Sequence, residues 1–234
     1  MKLKPNYFWH NPVGIKKIKK SDGRLYSVRK SRERFFFPDE WMAFYDMLNK
    51  HENRISNQQL TFNLLLYTGA RINEARNIKV QDVDLERNNI VLRITKKVIT
   101  RPAFKRKDVT AAKIKGERRI RVVTISDKFA KFLKKAIKEN DLKNENYLPV
   151  ITKAGANKAM KIALRKAGIP DWQMFSVHNI RKTAEMWLLS IGMDSFKVVK
   201  RFGHSREVAL KHYLSSDVFS FEEKQQIKEI LGEL

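Results

Sequence analysis

The 234-residue sequence predicts a mainly α-helical protein with one small antiparallel β-sheet. Apolar residues recur at helical spacing through most of the chain from Trp41 onward. Two short stretches, 89–94 and 119–125, are instead β-branched runs bounded by polar residues, and they are expected to pair as antiparallel strands. Residues 1–34 hold eleven Lys and Arg against Asp22 and Glu33, and Pro5, Pro12, Gly14 and Gly23 interrupt any period, so this segment reads as an extended basic arm. A globular body starts at Phe37, where Pro38 suits a first helical turn and Asp39 and Glu40 suit its positive end. Trp41, Phe44, Tyr45 and Leu48 form the expected core stripe of that helix. A second helix is expected over 57–67, and Thr68-Gly69 turns the chain so that Arg71 opens a third, with Ile72, Ala75 and Ile78 inward.

After the first strand run, residues 96–121 carry eleven basic groups against Asp108 and Glu117, a net +9. Such a stretch is either a solvated loop or one that orders along a DNA backbone, through Lys97, Arg101, Lys105, Arg106, Lys107, Lys113 and Lys115. From Ser126 the chain is helical again, with Phe129, Phe132, Leu133, Ala136 and Ile137 on the buried face. A further helix over 155–167 stops at Gly168 and Pro170, and Ser176 then caps one that runs to Gly192 with Trp187 and Leu188 in the core. The last residues reverse the sign of charge: 217–234 is acidic, with Ile227, Ile230, Leu231 and Leu234 helically spaced to dock on protein, in cis or on a neighbouring subunit.

Composition narrows the partners. The formal charge is +24, from 49 basic and 25 acidic side chains, which calls for a polyanion, and nucleic acid fits basic residues spread over several segments better than a membrane surface does. No apolar run is long enough to span a bilayer, and the lysine-rich N-terminus lacks the apolar core of a signal peptide, so a cytoplasmic, nucleoid-associated protein is expected. Zero cysteines exclude disulfides, thiolate metal sites and cysteine nucleophiles. The carboxylates are not clustered as a paired-metal nuclease needs: Asp82 and Asp84 are the only close acidic pair near Arg71, and no metal site is expected.

The chemistry concentrates in YTGARINEA and in the segment 175–213. His178 and Arg181 are three apart in a helical stretch, so both are expected to project from one face toward a single anion. Gly203 ends one short helix, and His204 opens the turn into another that carries Tyr213. A phosphodiester under attack becomes a five-coordinate phosphorane with added charge on its non-bridging oxygens, and a guanidinium fits it because its planar fork donates two parallel hydrogen bonds and stays charged. Arg71 and Arg181 are the candidates for that clamp, His178 and His204 for extra donors or proton handling, and Tyr213 for the nucleophile.

An Arg after a TG turn, then H-x-x-R, then GH, then Tyr, in this order, resembles the tyrosine recombinase (integrase) family. The resemblance implies the family's catalytic-domain fold over 35–216, site-specific DNA recombination through a 3′-phosphotyrosyl intermediate, and a tetramer on two double-stranded DNA sites. It implies no nucleotide cofactor and no metal, because the phosphotyrosyl link keeps the energy of the broken bond. In the family a β-hairpin lysine protonates the departing 5′ oxygen; Lys96, just after the first strand in RITKK, matches that position, with Lys97, Lys113 and Lys115 as alternatives. The NPV of the arm resembles the linker that precedes the catalytic domain, and the separate helical core-binding domain usual upstream of it has no room in 1–34. Two other readings compete. A helix-turn-helix binding module would explain 191–213 and the charge but not Arg71 or the H-x-x-R pair, and a type IB topoisomerase shares the chemistry on a single duplex.

Overall fold

The computed structural model describes residues 35–48, 54–93, 120–203 and 218–232, together with the backbone of three strands, Phe8–His10 (β1), Ile15–Lys19 (β2) and Leu25–Arg29 (β3). The segment expected to form an extended basic arm contains these strands. They pair antiparallel in the order β1-β2-β3, with Phe8 opposite Ile18 and Ile15 opposite Arg29. In sequence Pro12 and Gly14 follow β1 and Gly23 follows β2.

The body is helical around a second three-stranded sheet. Helix α1 (Pro38–Asp46) opens as the sequence predicts, with the Glu40 carboxylate accepting from the Phe37 N–H at 3.1 Å. Helix α2 (Asn57–Thr68) starts with a reciprocal cap: Ser56 Oγ accepts from the Gln59 N–H (3.1 Å) and Gln59 Oε1 accepts from the Ser56 N–H (2.8 Å). It ends at Gly69 in the left-handed region (φ 62°), and the short α3 (Ile72–Ala75) follows with Arg71 as its N-cap. Strands Val83–Asp84 (β4), Asn89–Arg93 (β5) and Ile120–Thr124 (β6) form an antiparallel sheet in that order, with Asn89 opposite Thr124 and Arg93 opposite Ile120. The two expected strands are therefore present, and β4 adds a third.

Helices α4 (Asp127–Glu139), α5 (Lys153–Lys166), α6 (Val177–Ser190) and α7 (Ser195–Phe202) complete the body with a C-terminal helix, Phe221–Leu231. Helix α6 is the centre of the core: Ile180, Ala184 and Trp187 are fully buried and Leu188 nearly so. Residues just before α1 strap onto it, because the Phe36 N–H donates to Thr183 Oγ1 (2.9 Å) and Trp187 Nε1 donates to the Phe36 carbonyl (3.0 Å). The Phe36 ring packs 4.6 Å from Phe175 and 5.3 Å from Phe44. Burying side chains of this size stabilises the fold by roughly 1.5–3 kcal/mol each, and the cluster fixes where α6 presents its N-terminal turns.

The C-terminal helix docks in cis. Ile227 and Leu231 are buried against the body, and Phe219 lies 5.9 Å from Phe35 and 5.6 Å from Phe37. Ser126 precedes α4 as expected, but its hydroxyl donates to the Leu231 carbonyl (2.5 Å) and so holds the tail. The Tyr67 hydroxyl donates to the Ile230 carbonyl (2.5 Å), and its ring stacks on Phe129 at 4.3 Å. Burial, and after it the neighbouring Tyr45, push the Tyr67 hydroxyl well above the ordinary phenol range. The unfolded chain then ionises Tyr67 first, so its stability contribution is complete below about pH 10 and declines above it by up to about 1.4 kcal/mol per pH unit. Thermal melts from pH 8 to 11 should show the wild type losing more stability above about pH 10 than Tyr67→Phe does. Among the described residues, no helix is long and apolar enough to cross a membrane.

Candidate active site

The turn after α2 positions Arg71. Gly69 adopts φ +62°, and a Cβ built on it would lie 2.5 Å from Cε1 of Phe202, so only glycine fits between α2 and the end of α7. Gly69→Ala should cost about 1–2 kcal/mol for the backbone and a further 1–3 kcal/mol for the clash, because Phe202 is fully buried. The expected loss of thermal midpoint is roughly 5–15 °C, and Phe202→Leu in the same chain should recover part of it; a midpoint unchanged in Gly69→Ala would contradict this packing.

Arg71 sits in an extended N-cap conformation with its side chain 47% exposed, and its fork is held from behind by Glu74, which is 2% exposed. Glu74 Oε1 accepts from Arg71 Nη1 (2.8 Å), and Oε2 accepts both the Arg71 backbone N–H (2.9 Å) and Arg121 Nη2 (2.6 Å). The sequence R-x-x-E thus caps α3 and orients its own arginine. Arg121 enters from β6, whose pattern is inverted: Ile120 and Val122 face outward, while Arg121 and Val123 face in.

Arg181, on the first turns of α6, is 2% exposed. Its Nη1 donates to the Gly69 carbonyl and its Nη2 to the Phe202 carbonyl, while the guanidinium carbon sits 5.0 Å above the Phe202 ring. One side chain therefore ties the turn that carries Arg71 to the residue preceding Gly203. Gly203 ends α7 in the left-handed region (φ 62°), as the sequence predicts. Arg201 reinforces the arrangement from α7, with Nη1 donating to the Thr124 carbonyl (2.7 Å) and Nη2 to the Tyr67 carbonyl (2.6 Å).

These charges act on one another. Burial first, then Arg121 and Arg71, hold Arg181 down to about 9, with Glu74 and Glu185 pulling the other way. Arg201 is held down to about 10 by burial and then by Arg121. Arg121 is lowered by burial, with Glu74 opposing and Arg71 adding to the shift. Among the described residues the guanidiniums of Arg71, Arg121, Arg181 and Arg201 therefore lie in one cluster with the carboxylates of Glu74 and Glu185, with positive groups in excess. A cluster of that kind favours an anion.

Of the residues singled out in the sequence, Arg71 and Arg181 are brought together. His178 and Arg181 are three residues apart on α6, with His178 exposed on the first turn and Arg181 buried. His204, Tyr213, Lys96 and the basic-loop residues Lys97, Arg101, Lys105, Arg106, Lys107, Lys113 and Lys115 lie outside the described residues. Asp82, half of the acidic pair near Arg71, is 4% exposed and paired with Arg93, and its Oδ2 accepts from the Lys79 N–H (3.1 Å). Sequence reasoning does not single out Glu74, Arg121 or Arg201. The R-x-x-E spacing could have pointed to Glu74, and a basic residue at the inward position of a strand to Arg121.

Among curated proteins no sequence matches significantly. Solved structures give the fold. XerA recombinase superposes with a TM-score of 0.57 at 17% identity, over 86% of this chain and 66% of that one. The catalytic domain of bacteriophage HP1 integrase does so with a TM-score of 0.53 at 19% identity, over 77% of this chain and 87% of that one. XerH site-specific recombinase, bound to palindromic difH substrate in a post-cleavage complex, gives 0.55 at 17% identity, over 91% and 60%. The chain thus spans just under two thirds of the XerA chain and less of the XerH chain. The phage integrase family model matches residues 34–218, which takes in every element from α1 to α7, the Glu74-backed Arg71 and the buried Arg181, and the chain belongs to that family.

Proposed function

We propose that this chain is a tyrosine site-specific recombinase that cuts and rejoins double-stranded DNA without a metal, in the integration or excision of a mobile element. The observation that carries the reading is the Arg181 guanidinium, which holds the Arg71 turn and the end of α7 together within one positively charged cluster. The Tyr213 hydroxyl gives its proton to His178 or His204 as its oxygen attacks phosphorus, the bond to the 5′ oxygen breaks, and a 3′-phosphotyrosyl link forms. The departing 5′ oxygen takes a proton from Lys96, and an incoming 5′ hydroxyl reverses the steps. Arg71 and Arg181 stabilise the charge that grows on the phosphorane, with His178 and His204 supplying further donors. DNA is the expected partner because the chain carries a +24 charge and because XerH and the Tn1549 integrase are described in complex with DNA. Exchange between two sites calls for four copies, and the basic segment 96–121 would follow the backbone. A pure binding module leaves the Glu74-backed arginine cluster without a role.

The test is covalent capture. The protein is incubated with sheared genomic DNA in EDTA and washed under denaturing conditions, and the DNA that stays attached is sequenced. Attached DNA converging on one sequence is the expected result. No attached DNA under conditions in which the protein binds DNA would overturn the proposal in favour of the binding module.

A further inference from the structure

Arg121 is 9% exposed and spends one N–H on Glu74, yet its Nε and Nη1 have no hydrogen-bond acceptor among the described residues. A guanidinium buried on those terms is costly. An apolar residue at this inward strand position would extend the core formed by Ile90, Leu92 and Val123. Its position suggests what it contributes. The Glu74 carboxylate that orients Arg71 also brings a buried negative charge against it at 2.8 Å, which by itself would cancel the charge Arg71 offers to a phosphate. Arg121 reaches the other oxygen of that carboxylate at 2.6 Å.

We propose that Arg121 is a positioning residue for phosphodiester cleavage: by sharing the Glu74 carboxylate with Arg71, it lets Glu74 orient Arg71 without neutralising it. This rests on the reading of the site as one that cleaves a phosphodiester. A phosphorane gains negative charge as it forms, and removing Arg121 alone leaves the Glu74 carboxylate to act on Arg71 unshared. Removing Arg121 and the Glu74 charge together leaves the charge difference unchanged, with a neutral pair in place of the buried ion pair.

The test is the single-turnover rate of covalent attachment to a nicked duplex carrying the captured sequence, at saturating protein, with melting curves for each variant. Arg121→Gln is expected to slow attachment about 100-fold while DNA binding is retained. Arg121→Lys, which keeps the charge, and Arg121→Gln with Glu74→Gln, which restores the balance, should both stay within about tenfold of wild type. A residue serving the fold alone would slow no folded variant, and the double variant would not outpace Arg121→Gln. If Arg121→Gln does not fold, the double variant and Arg121→Lys decide: a 100-fold loss in either overturns the proposal. A wild type that attaches to no DNA would instead overturn the reading of the site, so the two failures are distinct.

Discussion

Tyr213→Phe should abolish covalent attachment to DNA, a loss on the order of 10⁴-fold or more, while its affinity for the same DNA stays within about twofold of wild type. The asymmetry follows from the chemistry. In the proposed mechanism Tyr213 supplies the oxygen of the covalent intermediate, so removing it removes that bond. Binding rests on the basic surface, and one hydroxyl adds little to the counterion release that dominates it. Filter binding at several salt concentrations, set beside denaturing gels of the same mixtures, separates the two quantities. Equal covalent yields from wild type and Tyr213→Phe would remove Tyr213 from the mechanism.

Arg181→Lys should slow attachment by about 10³-fold and lower the thermal midpoint as well. A lysine ammonium keeps the charge but not the fork, so it cannot donate at once to the Gly69 and Phe202 carbonyls in the arrangement Arg181 adopts. Each buried carbonyl left without its donor costs about 1–3 kcal/mol, and the contact with the Phe202 ring at 5.0 Å is lost. The kinetic effect is larger than for Arg121→Lys because Arg181 connects the segments on either side of it, whereas Arg121 acts through Glu74. A rate within tenfold of wild type would mean that the two carbonyls hold their places without the guanidinium, and that Arg181 is not the tie between the two segments.

The body of the fold is legible in the sequence because local signals and tertiary packing agree there. The stripe from Trp41 to Leu48 and the Gly69 turn both predict elements that are present. So do the β-branched runs that form β5 and β6 and the Ser176 start of α6. The buried arginines are not legible. Arg121 sits at the end of a run of eleven basic residues, where charge suggests solvent, and its partner Glu74 is 47 residues away. Only the sheet's placement against α3 makes that position inward. Arg201 likewise reads as a surface residue on the last turn of α7 until the carbonyls of Tyr67 and Thr124 come within its reach. Glycine and proline in 1–34 suggest broken structure where they separate three short strands, a confusion inherent in residues that favour turns of every kind. The acidic tail leaves cis and trans docking equally open in sequence, and in this chain Tyr67 and Ser126 bond the last turn of its helix.

Central to this mechanism is a tyrosine that becomes covalently joined to DNA phosphate with no metal present. The most direct measurement is proteolysis of the complex formed in EDTA, followed by mass spectrometry of the peptide that carries the nucleotide. The expected result is a single adduct, a phosphodiester to deoxyribose on Tyr213. An adduct on any other residue would contradict the mechanism, as would attachment that requires a divalent ion.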